Sequence, residues 1–278
     1  MSVLKISFNY IITIHNKADL IKDVILGVIN SAGPESTIYP VLDGCTDLSE
    51  AVIDDLIKLY PEHRIIKLYA EDVHELKSIN IGLNNSNQTG RGYNIILQDD
   101  VVLQDEKLEE RCIELYDSFK KLGVVSFRHG ANISRQLLED FTNPEPLIDY
   151  IQSECGHYPK PSATLKIGFF VFKEIVIKSP ICIPFQVIRE LGVPDEAYAP
   201  WNDIAYTYRV SATGYKNGVF AIKFRSDVSW GTTRNKKQEL DVEDVQLKNG
   251  LLFRFQYREL PPLDEKYSNY REYFFFDV

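Results

Sequence analysis

A chain of 278 residues with 44% apolar and 12% aromatic side chains has ample material for a packed core, and its length fits one large domain or one domain with an appendage. A formal charge of −9 argues against a general nucleic-acid binder, which needs a basic face to neutralise phosphates. No run approaches ~18 apolar residues, and the opening Met1-Ser-Val-Leu-Lys-Ile is too short and mixed for a signal peptide, so no transmembrane segment and a cytoplasmic protein are expected, with peripheral membrane contact left open.

Residues 6–14 read as a buried first strand that stops at His15-Asn16-Lys17. From Asp19 to Asn30, Leu20, Ile21, Val24, Ile25 and Val28 recur at helical spacing, and Gly33-Pro34 ends the helix. A second strand, Ser36 to Leu42, runs into the turn Asp43-Gly44-Cys45-Thr46-Asp47, followed by a helix with Val52, Ile53, Leu56, Ile57 and Tyr60 on one side. A third strand, Arg64 to Tyr69, precedes a helix from Glu75 that carries Lys77 and Asn80. The fourth, from Tyr93, ends on Gln98-Asp99-Asp100 before turning apolar again at Val101. Strand–helix units repeated in this way predict a parallel sheet covered by helices and joined by right-handed crossovers.

Further on, Lys107 to Leu122 predicts an amphipathic helix and Val124 starts another strand. Residues 130–165, with Pro144, Pro146, Pro159 and Pro161, read as an irregular inserted loop of the kind that serves as a substrate lid. A strand at 167–172, a turn at 190–196, a helix from Trp201 to Ala212 closed by Gly214, and a last strand from Val219 to Phe224 follow. The tail is basic, then acidic, then aromatic; its Tyr-Phe-Phe-Phe suits the core or a homodimer seam better than a membrane anchor.

Thr13, Asn16, Asp43, Asp99 and Asp100 all fall at or just after predicted strand ends, so a parallel sheet would bring them to one edge, where open α/β sheets bind ligands. Asp43 either accepts a hydrogen bond from a nucleobase imide or starts an Asx turn. Asp99 and Asp100 either hold Mn²⁺ or Mg²⁺ against a diphosphate or form a solvated acidic turn. Cys45, Cys112, Cys155 and Cys182 show no Cys-x-x-Cys spacing and no two histidines stand at His-x-x-x-His, so oxygen ligands are expected for any metal. Glycine-rich loops of the Gly-x-Gly-x-x-Gly or Gly-Lys-Ser/Thr type are absent, which disfavours dinucleotide oxidoreductases and P-loop ATPases.

These residues resemble the family-2 inverting glycosyltransferases of the GT-A fold over about residues 6–225. Thr13-Ile-His-Asn16-Lys17 resembles the family's first loop, Asp43-Gly-Cys-Thr-Asp47 its Asp-Asp-Gly-Ser-Thr-Asp turn, Asn80-Ile-Gly its Asn-x-Gly, and Gln98-Asp99-Asp100 its Asp-x-Asp motif. Leu191-Gly-Val-Pro-Asp-Glu, Asn202-Asp203, Arg209 and Gly214-Tyr215 match the later family segments in order. The resemblance implies an α/β fold with a mostly parallel sheet: a GT-A domain over 1–228, with a nucleotide-sugar half at 1–103 and an acceptor half at 104–228, and a C-terminal extension at 229–278 packed on it. It implies metal-dependent transfer from a nucleoside diphosphate sugar, UDP-sugars first by family frequency, to a hydroxyl of a glycan or other acceptor. Thr13, Asn16, Asp43, Lys77, Asn80 and Asp99 would contact the donor, Asp100 and Asp227 the Mn²⁺ or Mg²⁺, and Asp203 would be the general base. Trp201, Asn202 and His129 are acceptor-side candidates, although Trp201 and His129 also suit plain packing.

The chain departs from the family pattern at Leu42, Gln98 and Asn202, where acids are usual, at Ile79, where Arg is usual, and in lacking a late metal-binding His near 227–230. Those departures motivate a second reading, a non-catalytic nucleotide-sugar or glycan-binding module. A sugar-phosphate nucleotidyltransferase is less favoured, since the glycine-rich, lysine-ending loop of those enzymes is absent.

Overall fold

A computed structural model describes residues 5–133, 147–156, 161–177, 179–198, 202–226 and 272–276. In chain order they form β1 (Ile6–Ile14), α1 (Ile21–Ser31), β2 (Thr37–Asp43), α2 (Ser49–Leu59), β3 (Arg64–Ile65), β4 (Leu68–Ala70), α3 (Glu75–Asn85), β5 (Arg91–Gln98) and β6 (Val101–Leu103). Then come α4 (Leu108–Ser118), β7 (Leu122–Ser126), β8 (His129–Ile133), β9 (Leu147–Ser153), β10 (Ala163–Leu165), β11 (Phe169–Lys173), β12 (Ile175–Ile177) and β13 (Ile181–Pro184). Last are α5 (Phe185–Leu191), a 3-10 turn (Glu196–Tyr198), α6 (Asn202–Ala212), β14 (Lys216–Phe220), β15 (Phe224–Ser226) and β16 (Tyr273–Phe275).

Ten strands make one sheet in the order β16-β11-β14-β7-β13-β5-β1-β2-β3, with β4 also on β2. Only β13 and β11 run against the rest, so the sheet is mostly parallel. Along β1, Tyr10, Ile12 and Ile14 enter one core and Ile11 the other, the two-residue alternation of a strand covered on both faces. α1, α2 and α4 close the first face; α3, α5 and α6 close the second.

Three expectations change. The expected lid at 130–165 contains β8, β9 and β10, which join β12 in a separate four-stranded sheet, and α6 packs Ala205 and Tyr208 against it. The strands there are short and only partly apolar, so local periodicity does not reveal them. The third strand is split into β3 and β4, and at the break Lys67 pairs with Glu50 and Asp54 at 2.6 and 2.7 Å. The expected strand from Val219 to Phe224 divides into β14 and β15, and β15 leaves the main sheet to pair with β6. At the chain's other end the aromatic tail splits its two sides: Phe276 is buried, while Tyr273 and Phe275 face out.

α1 lies so close to β6 that a Cβ on Gly27 would sit 2.7 Å from the Leu103 carbonyl oxygen and 2.9 Å from its nitrogen. Backbone cannot step aside as a side chain can, so Gly27→Ala is expected to cost ~1–3 kcal/mol despite alanine's better helix propensity. Thermal unfolding should show it as a loss of about 2–4 °C per kcal/mol.

Under the same face, the Ser36 hydroxyl donates to Glu109 Oε1 at 2.6 Å and the Tyr10 hydroxyl lies 3.0 Å from that oxygen. Burial pushes the Glu109 carboxyl above its usual range, against the pull of Ser36. A carboxyl raised on folding contributes stability that is fully present below its unfolded pKa and is lost as pH rises through the folded one. The stability of wild type relative to Glu109→Gln should therefore be greatest at acidic pH and decline towards neutrality in denaturant titrations.

Candidate active site

From β1 the chain moves to β2 on one side and later to β5 on the other, so the carboxyl end of β1 is the sheet's switch point and opens a crevice. Three loops meet there. The His15 backbone N–H donates to Asp99 Oδ2 at 2.8 Å, and its ring Nδ1 lies 2.6 Å from the Asp43 carbonyl oxygen, which makes Nδ1 the protonated nitrogen. Asn16 adopts a left-handed φ of 51° and its Oδ1 accepts from the backbone N–H groups of Thr46 and Asp47 at 2.8 and 3.3 Å. Asp43, only 2% exposed, accepts at Oδ1 from the Val73 N–H at 2.7 Å. Thr13 is buried on the strand just before the crevice.

The two acids after β5 differ sharply. Burial pushes Asp99 up to about 6, opposed by the His15 N–H and the positive charge of Lys17, a lysine that is itself buried. Asp100 Oδ2 accepts from the Ser226 hydroxyl at 3.4 Å, whereas its buried Oδ1 has no hydrogen-bond partner among the described residues. A buried carboxylate oxygen with no donor is costly unless a cation completes it, and hard oxygen suits Mg²⁺ or Mn²⁺. Gln98 turns away from this pair: its amide donates to Glu75 Oε1 at 2.7 Å and its backbone N–H to the Ser179 hydroxyl at 2.8 Å.

α6 is followed by a short turn and then by β14, which is parallel to β7; a helix in that position runs down the sheet and starts at its carboxyl edge. Asp203 lies in the first turn of α6, where the Asn202 amide donates to its Oδ1 at 3.0 Å. The start of α6 is fixed from behind. Arg209 donates to the Val193 carbonyl at 3.0 Å, and the Asn80 amide donates to the Pro194 carbonyl at 2.9 Å and to Glu196 at 3.2 Å. Asn80 thus joins α3 to the turn before α6. Lys77 is exposed on the first turn of α3, the turn whose Glu75 reaches Gln98.

His129 is fully buried in the small sheet with its ring 5.9 Å from that of Tyr150, so it offers an acceptor no open surface. Trp201 and Asp227 lie outside the described residues. The structure adds Arg128, which no motif in the sequence points to. It is 2% exposed, its guanidinium carbon is 5.2 Å from the centre of the Phe224 ring, and burial lowers its pKa while the Asp100 charge raises it.

Residues 10–176 match the family model described as glycosyl transferase family 2. The chain belongs to that family. No curated protein matches it in sequence. Among solved structures, the mannosyltransferase PcManGT from Pyrobaculum calidifontis, in complex with GDP-Man and Mn²⁺, superposes with a TM-score of 0.60 at 14% identity, covering 92% of this chain and 66% of that one. TarS 1-349 of S. aureus in complex with UDP gives 0.56 at 11% identity, covering 88% and 65%. This family-2 chain therefore spans just under two thirds of either protein, and the likeness establishes a shared GT-A fold. Its departure at Leu42 has a local cause: that side chain is 3% exposed within the apolar core, where a carboxylate would be buried unpaired.

Proposed function

We propose that this family-2 chain transfers a sugar from a nucleoside diphosphate donor to a hydroxyl of a glycan or similar acceptor, with inversion and with help from Mn²⁺ or Mg²⁺. The observation that carries this reading is the buried Oδ1 of Asp100 at the sheet's switch point, which has no donor among the described residues. Asp100 would hold the cation, with Asp227 as the candidate second ligand. A bound divalent cation would supply charge neutralisation for the departing diphosphate. Asp99, held by the His15 N–H, would face the ribose or diphosphate, while Asn16 and Asp43 shape the nucleoside end. At the acceptor side, Asp203 would take the hydroxyl proton as the oxygen attacks the anomeric carbon, and the bond from that carbon to the diphosphate breaks on the opposite face. One carboxylate is enough for such a single displacement.

Titration with nucleoside diphosphates in Mn²⁺ and in EDTA, combined with product analysis on sugar donors and an acceptor panel, tests this. Metal-linked nucleotide binding with turnover to an inverted product is the expected result; binding equally tight in EDTA would remove the metal from the scheme. The binding-module reading draws on Gln98, which is spent on Glu75 and Ser179 and adds no charge to the site. Nucleotide-sugar binding with no turnover across the panel would favour that reading.

A further inference from the structure

The donor and acceptor ends of the proposed site stand on different elements, and one helix reaches both. At the end of β5 the Gln98 amide donates to Glu75 Oε1 at 2.7 Å, in the first turn of α3. About 7.5 Å further along the helix axis the Asn80 amide donates to the Pro194 carbonyl at 2.9 Å and to Glu196 Oε1 at 3.2 Å. Both acceptors belong to the segment that leads towards α6 and Asp203.

Between these contacts α3 has little freedom to move. Ile79 and Leu83 share a core with Ile11 of β1, and a Cβ on Gly82 would lie 2.3 Å from Ile11 Cγ2, so helix and strand are in direct contact. Asn80 is 5% exposed, and hydrogen bonds made away from water hold their geometry. From the other side Arg209 of α6 donates to the Val193 carbonyl at 3.0 Å. The turn at 193–196 is thus gripped by two helices.

We propose that α3 is a strut that couples occupancy of the donor site to the turn before Asp203, with Gln98 and Asn80 as its two positioning residues. The proposal rests on the donor and base roles given above. The anomeric carbon is placed from the β5 side and the base from the α6 side, and an error of about 1 Å between them costs on the order of 10²-fold in rate. A strut also gives a reason for glutamine at 98, where acids are usual. A carboxylate only accepts hydrogen bonds, so an acid at 98 would bring a second acceptor and a like charge against Glu75, whereas the amide brings a donor.

Amide hydrogen exchange of the full chain tests this, with UDP and with GDP at saturation, each in Mn²⁺. In wild type the nucleotide is expected to slow exchange at 15–17 and 43–47, where it binds, and also at 195–198, there by up to about tenfold, the size of one hydrogen bond. α4, on the opposite face, is the reference for general stabilisation. Gln98→Glu keeps the length of the side chain but sets a carboxylate against Glu75, so the slowing at 195–198 should fall below about twofold while that at the donor end stays. Adding Glu75→Gln re-forms the bond in the opposite direction and should restore it. Asn80→Ala should remove it again, with a melting curve to show that the fold persists. Slowing at 195–198 no greater than in α4, retained in either single variant, or not restored by the exchanged pair overturns the strut and leaves the donor reading standing. No slowing at the donor end with either nucleotide overturns both.

Discussion

Asp203→Asn is expected to lower the rate of sugar transfer by ~10²–10⁴-fold while leaving nucleotide affinity nearly unchanged. The reasoning starts from the proton. An acceptor hydroxyl becomes acidic only as its bond to the anomeric carbon forms, so the base acts in the transition state, and its removal lowers turnover more than binding. Asparagine keeps the shape of Asp203, and its carbonyl can still accept from the Asn202 amide that now lies 3.0 Å away. Loss of a negative charge from the first turn of α6 should cost only about 0.3–1 kcal/mol. Steady-state kinetics with donor and acceptor, alongside nucleotide titration and a melting curve, provide the check. A variant that retains more than about a tenth of the wild-type rate would remove Asp203 from the role of base.

Asp100→Ala should separate stability from function in the opposite direction. In metal-free protein its buried Oδ1 has no hydrogen-bond donor among the described residues, and such an atom costs about 1–3 kcal/mol in lost hydration. Deleting the carboxylate relieves that cost but also removes the negative charge that faces the buried Arg128, so the metal-free variant is expected to melt close to wild type. Mn²⁺ should then raise the melting temperature of wild type, which gains binding energy in the folded state only, and should do little for the variant. Metal affinity should fall on the order of 10²-fold, since even outer partners of metal ligands are worth 10–100-fold. Melting curves in EDTA and in Mn²⁺ read both effects. An Asp100→Ala protein that still shows the full Mn²⁺ shift would place the cation elsewhere.

Legibility of this molecule in its sequence followed the length and apolar content of each element. β1, α1, β2, α2, α3 and β5 are written in local periodicity, because each is long enough to show a run or repeat of apolar residues whatever its partner. β13 is not readable in that way. Its four residues, 181–184, are too few to show a period and slot antiparallel between β5 and β7. The sheet built from β8, β9, β10 and β12 is hidden because its strands are short and partly polar, and the prolines of the 130–165 segment read as a loop. At the site, positions after strand ends could be listed from the sequence, and Asn16, Asp43, Asp99 and Asp100 do gather at one edge. The work done by each side chain could not be foreseen, since it depends on which donor arrives from a distant segment. Gln98 is absorbed by Glu75, Asn80 by the 194–196 turn, and Arg128 enters beside Asp100 with no motif to announce it. Lys17 and His15 lay within a recognisable loop, yet only the fold shows one buried against Asp99 and the other linking two loops.

His15 has one further consequence. A single residue grips Asp99 with its main chain and the end of β2 with its ring, so the two ends of the crevice are not mechanically independent. Substitutions at Asp43 and at Asp99 should therefore fail to add. A double-mutant cycle between them should show a coupling free energy of about 0.5–3 kcal/mol, and replacing the His15 ring should abolish it. The end of the second strand and the acid after the fifth are then one thermodynamic unit, joined through a single residue at the end of the first strand.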